Sequence, residues 1–262
     1  MSTLLAAAIA TLVFCAPGYP GGAGDAQPYV DEFAKAAAAA AGWPHDSLAA
    51  LYDPTEAGGL AKLKSADAAL AFVPYPFFVQ YGAELHLRPL VQADVVGTGP
   101  QERWTLVGKT GHASGAAALA GYTILSVAGY APEFVRHAAL GAFGLPADVK
   151  VEYTGQILSA LRRVAAGEPV VALLDQTQAI ALPTLPFAAQ LQTVTESPAL
   201  PVALLAVVDA RLPAARVQSL QAALLKMGHG AAGAGAGAGT GASEALNSLR
   251  LQGFIPPQLP GH

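Results

Sequence analysis

Lys109, His112 and Ser114 fall within one short run, Lys109-Thr-Gly-His112-Ala-Ser114-Gly115, which brings nucleophile and base types close together. A serine beside a histidine base could support acyl transfer, but this run is not a Gly-x-Ser-x-Gly elbow. It also follows a strand-like segment and precedes an alanine-rich one, as a surface loop would. Glu56, Asp94 and Asp175 have no spacing that makes a working carboxylate pair. The six histidines are scattered and the single Cys15 sits in an apolar run, so neither zinc-ligand spacing nor a disulfide framework is present. The glycine-rich stretch GHGAAGAGAGAGTGAS, residues 228–243, lacks the Lys-Ser/Thr that would close a phosphate loop and is expected to be a flexible insertion. The expectation is a protein with no catalytic set, no metal and no cofactor, which binds rather than transforms its ligand.

Composition narrows the partners. Of 262 residues, 53% are hydrophobic, enough for a sizeable core. Charged residues are only 12%, the formal net charge is −4, and no basic run exceeds Arg162-Arg163, which leaves nucleic acid without an electrostatic footprint. The apolar residues 1–16 lack a basic n-region and are too short for a membrane span. Residues 1–10 read as an incomplete export signal, and Thr11–Cys15 as a buried first strand ending in the turn Ala16-Pro17-Gly18-Tyr19-Pro20-Gly21.

The elements that would position a site come from an internal repeat. Tyr29, Glu32, Phe33 and Lys35 recur 101 positions later as Tyr130, Glu133, Phe134 and Arg136. Gly42, Pro44 and Asp46 recur as Gly144, Pro146 and Asp148, and Tyr52 is echoed by Tyr153. Leu60–Asp67 followed by AALAFV runs beside Leu161–Glu168 followed by PVVALL, and TLVFCAPGY resembles TILSVAGY. Each half reads as strand, helix, short strand, helix, strand, which predicts an α/β fold of two lobes with mostly parallel sheets flanked by helices. The segments around Gly97-Thr98-Gly99-Pro100 and Pro198–Pro201 cross between them as two hinge strands. Residues 1–96 plus 208–262 are expected to form the first lobe and residues 97–207 the second. Helices are expected over Pro213–Met227 and Glu244–Phe254.

Four segments, TLVFCAPGYPG, LKSADAALAFVPYPFFVQYG, LRRVAAGEPVVALLDQT and the Ser197–Pro201 turn before VALLAVVDARLP, resemble the periplasmic solute-binding proteins of ABC importers. The resemblance is to the phosphate/phosphite/phosphonate-binding family, which has the type II periplasmic-binding fold. It implies a periplasmic monomer that closes on a small molecule and delivers it to an inner-membrane transporter. A sensory receptor, or an enzyme on the same fold, are the alternatives.

Ligands in open α/β sheets bind beyond the carboxyl ends of parallel strands. That rule nominates Tyr19, Tyr52, Tyr75, Phe77 and Phe78 in the first lobe, and Ser126, Gly129, Tyr130, Tyr153, Thr154, Asp175 and Gln176 in the second. Family members that hold an oxyanion carry a hydroxyl-rich turn where this chain has Ser126-Val127-Ala128-Gly129-Tyr130-Ala131-Pro132, with a single hydroxyl before the tyrosine. No arginine stands at a predicted strand end. An uncharged, amphipathic or apolar ligand is therefore expected in preference to a phosphorus oxyanion, which remains the alternative.

Overall fold

A computed structural model describes residues 9–18, 22–112, 114–228 and 239–260. The first lobe is built on β1 (Ala10–Cys15), α1 (Ala23–Ala40), β2 (Leu48–Asp53), α2 (Glu56–Leu63), β3 (Ala68–Pro74), α3 (Tyr75–Tyr81) and β4 (Leu87–Val95). The chain crosses on β5 (Gln101–Glu102) into β6 (Thr105–Lys109), β7 (Thr123–Ser126), a π-helical turn over Phe134–Ala139, β8 (Lys150–Tyr153), α4 (Ile157–Ala166), β9 (Val170–Leu174), α5 (Gln176–Ala181) and β10 (Leu191–Glu196). It returns on β11 (Leu200–Pro201) to β12 (Ala203–Val208), α6 (Ala214–Leu224), α7 (Gly239–Ser248) and β13 (Leu251–Ile255).

Two sheets result, ordered β13-β4-β12-β3-β1-β2 and β10-β6-β9-β7-β8, with β5 and β11 forming a two-stranded antiparallel link between them. The expected parallel pairing holds only for the repeated core of each sheet, β2-β1-β3 and β8-β7-β9. The remaining strands run antiparallel because they begin or end at the hinge. A strand leaving the hinge must run away from the cleft, opposite to β3 and β9, which end there. For the same reason β12 pairs with β3 and β4, so residues 203–207, expected in the second lobe, belong to the sheet of the first.

The repeat is one of topology more than of residue positions. Tyr29 lies exposed on the long helix α1, whereas its sequence echo Tyr130 lies in the turn before the short π-helical segment. Pro132 contributes no N–H at the start of that segment, and at its two ends the Val135 N–H donates to the Ala131 carbonyl and the Leu140 N–H to the Val135 carbonyl. From β2 onward the two halves stay within one residue of step, with Tyr52 paired to Phe14, the last residue but one of β1, and Tyr153 to Ser126, the last of β7.

The C-terminal segment departs from expectation. Residues 229–238 of the glycine-rich stretch lie outside the described residues, but Gly239–Ser243 already belong to α7. The helix ends at Ser248, and Leu251–Ile255 is a strand added to the edge of β4. Arg250, in the left-handed region at φ 56°, marks the break. Burial decides for the strand: Phe254 is fully enclosed, 5.9 Å from the ring of Phe33 and 6.2 Å from that of Phe72. Enclosing such a ring stabilises by about 1.5–3 kcal/mol, more than the helix propensity of the segment can offset.

Each sheet is covered on both faces. In the first lobe, α1, α6 and α7 cover one face around Phe33, Leu70, Leu205 and Phe254, and α2 and α3 the other around Val13, Leu63 and Phe77. In the second, Phe134 and Ile124 lie on one side, and Leu161, Val164 and Leu174 on the other. The lobes also touch through α3, where Tyr75 meets Phe134 edge-on at 6.1 Å and Gln80 Oε1 accepts the Glu133 N–H at 3.0 Å.

Candidate functional site

Between the lobes lies a cavity of about 350 Å³. Its walls follow the strand-end rule for the central strands. Pro17 and Gly18 follow β1, and Pro74 and Pro76 close β3 and open α3. Val127, Ala128 and Tyr130 follow β7, and Asp175, Thr177 and Gln178 follow β9. The floor and rim add Trp104, at the hinge, and Arg250, just before β13. Gly18 has φ 86°, and a Cβ there would sit 3.0 Å from the Val127 carbonyl, so the turns of the two lobes approach closely only because this residue is glycine.

Of the residues nominated from sequence, Tyr130 and Asp175 line this cavity. Tyr19 lies outside the described residues. Tyr75 is buried, stacked 6.3 Å from Phe78, and Phe77 is fully enclosed in the first-lobe core, because α3 turns these rings inward and leaves its flanking prolines in the cleft. Phe78 is half-buried between the two cores. Tyr52 packs against the first-lobe core at the end of edge strand β2, and Tyr153 stands 53% exposed at the end of edge strand β8. Edge strands end farther from the cleft than central ones, so neither tyrosine lines it. Gly129 is buried against the backbone of Glu152 and leaves no room for a side chain.

The hydroxyl expected to meet a ligand is turned inward. Ser126 is fully buried and its Oγ accepts the Ala128 N–H at 3.1 Å. Thr154 Oγ1 accepts the Gln156 N–H at 3.0 Å, and Gln176 Oε1 accepts the Arg103 N–H at 3.3 Å. Asp175 caps α5: its carboxylate accepts the Gln178 N–H at 2.8 Å while Gln178 Oε1 accepts the Asp175 N–H at 3.2 Å. The helix start is thus already occupied by a carboxylate, whose pKa burial raises above the ordinary aspartate range.

A second carboxyl stands behind it. Glu102, 5% exposed on hinge strand β5, has its pKa pushed up to about 8 by burial and by the charge of Asp175, against the opposing pull of the Gln176 N–H. Trp104 Nε1 is buried with no acceptor at hydrogen-bonding geometry, although it is near enough to the Glu102 carboxyl to favour its charged form. Strand-end reasoning could not nominate Trp104, which lies in the hinge, or Arg250, which precedes its strand. Only the pairing of β13 with β4, which starts that strand at the cleft, brings the arginine there.

Lys109 ends β6 far from the hinge, its Nζ 3.5 Å from the Ala166 carbonyl, and His112 and Ser114 beyond it are exposed. No helix among the described residues is long and apolar enough to cross a membrane.

Comparison with curated proteins finds no match. Among solved structures the fold is shared with XAC2383 from Xanthomonas citri bound to chloride ion, at TM-score 0.66 and 17% identity over 95% of this chain and 92% of the other. PhnD1 from Prochlorococcus marinus in complex with methylphosphonate is similar at TM-score 0.58 and 13% identity over 95% and 93%. A binding protein component of an ABC phosphonate transporter from Pseudomonas aeruginosa is similar at TM-score 0.57 and 14% identity over 94% and 81%. The family profile described as the periplasmic substrate-binding protein of phosphonate ABC transporters matches residues 66–259. With two lobes, a crossed hinge and a cleft at the central strand ends, the chain belongs to this family of periplasmic phosphonate-type substrate-binding proteins.

Proposed function

We propose that this protein captures an organophosphonate in the periplasm and delivers it to an ABC importer in the inner membrane, acting as a binding protein and not as a catalyst. The observation that carries the ligand class is Arg250 on the cavity wall. An uncharged ligand was expected because the turn after β7 carries a single hydroxyl and no arginine stands at a predicted strand end; Arg250, ahead of β13, brings to the cavity wall a guanidinium, a planar fork of donors suited to phosphonate oxygens. The proline, valine and tyrosine surfaces of the same cavity would cover an organic substituent, which separates such a ligand from bare phosphate. Capture by lobe closure about β5 and β11 follows from the two-crossing hinge.

A neutral amphipathic ligand is the second reading, favoured by the inward-turned Ser126 and by the carboxylate already at the start of α5. Calorimetric titration with methylphosphonate, a longer alkylphosphonate and inorganic phosphate separates the two. Binding of an alkylphosphonate at least about tenfold tighter than phosphate, a difference of about 1.4 kcal/mol, is expected. Saturation by a neutral amphiphile with no binding of either phosphonate would replace this reading with the second.

A further inference from the structure

The lobes meet at two places that differ in their relation to the cavity. Gly18 and Val127 approach each other on the cavity wall itself. Gln80 and Glu133 meet away from it, as neither lines the cavity. The Glu133 N–H opens the π-helical segment Phe134–Ala139, because Pro132 before it has none. The first amides of any helical turn lack an acceptor within it, and here Ala131 and Pro132 carry no side chain that could accept. The acceptor comes from the other lobe, where Gln80 Oε1 takes the bond at 3.0 Å. Gln80 itself moves with the first lobe: α3 is anchored in that core by the enclosed Phe77, and its start is tied beside the hinge by the Tyr75 N–H, which donates to the Val202 carbonyl at 3.0 Å. Gln80 stands five residues on, about 7.5 Å farther along the helix, so rotation of one lobe against the other displaces it more than it displaces Tyr75.

We infer that Gln80 is a positioning residue for capture: it caps the start of the π-helical segment from the opposite lobe, and so favours the closed arrangement without touching what the cavity holds. Opening of the lobes returns the Glu133 N–H to water, and the net gain of one such hydrogen bond sets the scale of the bias, about two- to tenfold in the ratio of closed to open molecules. Tyr75 and Phe134, edge-on at 6.1 Å nearer the hinge, keep α3 and the segment aligned so that the side-chain oxygen meets the amide. Because Gln80 lies outside the cavity, the bias is the same for an anionic and a neutral ligand, and it stands whether or not the solute is a phosphonate.

The ligand-free full chain tests it, with small-angle X-ray scattering to read lobe opening and the Glu133 amide signal in ¹⁵N NMR to read the bond. Gln80→Met keeps the length of the side chain and drops the acceptor; it should shift the closed-to-open ratio about two- to tenfold towards open, seen as a larger radius of gyration. Gly18→Ala works from the other contact, since its Cβ would lie 3.0 Å from the Val127 carbonyl and hold the lobes apart. It should therefore move the Glu133 amide signal from a different element, and Gln80→Met added to it should open the protein little further. An unchanged radius of gyration in folded Gln80→Met, or a Glu133 signal that stays in place while Gly18→Ala opens the lobes, would overturn the inference by making the bond a local one. The Gly18→Ala comparison decides the matter even where Gln80→Met fails to fold.

Discussion

Trp104 and Ser197 hold the two lobe crossings together by a reciprocal pair of bonds: the Ser197 N–H donates to the Trp104 carbonyl at 2.8 Å, and the Trp104 N–H donates to Ser197 Oγ at 2.9 Å. Both residues are almost fully buried. Ser197→Ala leaves the Trp104 N–H without its acceptor, which should cost about 1–3 kcal/mol of unfolding free energy in denaturant titration. A loss below about 0.5 kcal/mol would mean that the crossing is held by the backbone alone.

Arg250 separates stability from binding. Its φ of 56° is unfavourable for a residue with a Cβ, so Arg250→Gly should raise unfolding free energy by up to about 1 kcal/mol. The same change removes the cation from the cleft and should weaken methylphosphonate binding by tenfold or more, roughly 1.4 kcal/mol. A variant that melts higher and binds equally well would remove Arg250 from the site.

Gly59 lies where α2 rests on Cys15, and a Cβ placed there would collide with Sγ. Gly59→Ala should therefore destabilise by about 1–3 kcal/mol through overpacking. Cys15→Ala removes that sulfur, so the double variant should recover at least about 0.5 kcal/mol relative to the sum of the single changes. Strict additivity would show that α2 shifts instead of clashing.

The pH dependence of stability has a definite sign at Glu102. Its folded pKa of about 8 lies above the 4.5 of a free glutamate, so between those values the unfolded chain binds fewer protons than the folded one. Its contribution is fully present below 4.5 and is lost as pH rises towards 8. Melting temperature should fall across that window in the wild-type protein, and Glu102→Gln should flatten the fall. An identical slope in the variant would assign the linkage elsewhere.

The repeat and the crossing segments were legible because each strand-helix-strand unit has a local signature: short apolar runs such as AALAFV and VVALL, ended by turn residues. The same locality explains the helix expected through Phe254. Residues 244–254 read acceptably as helix by themselves, and only the open edge of β4 and the space beside Phe33 and Phe72 make Leu251–Ile255 a strand. The tyrosines at 52 and 153 were nominated by a rule that treats all parallel strands alike, whereas a strand's place in the sheet decides whether its end reaches the cleft.

From sequence alone come the α/β class, the two repeated halves, the double crossing and two cavity residues, Tyr130 and Asp175, since each depends on residues near one another in the chain. Tertiary structure decided the direction of the added strands, the burial of Glu102 beside Asp175 and the arrival of Arg250 in the cleft. Those depend on pairings between residues far apart in sequence, such as Leu251 with Val95. Charge and desolvation act through the distances that such pairings set, and no local pattern records them.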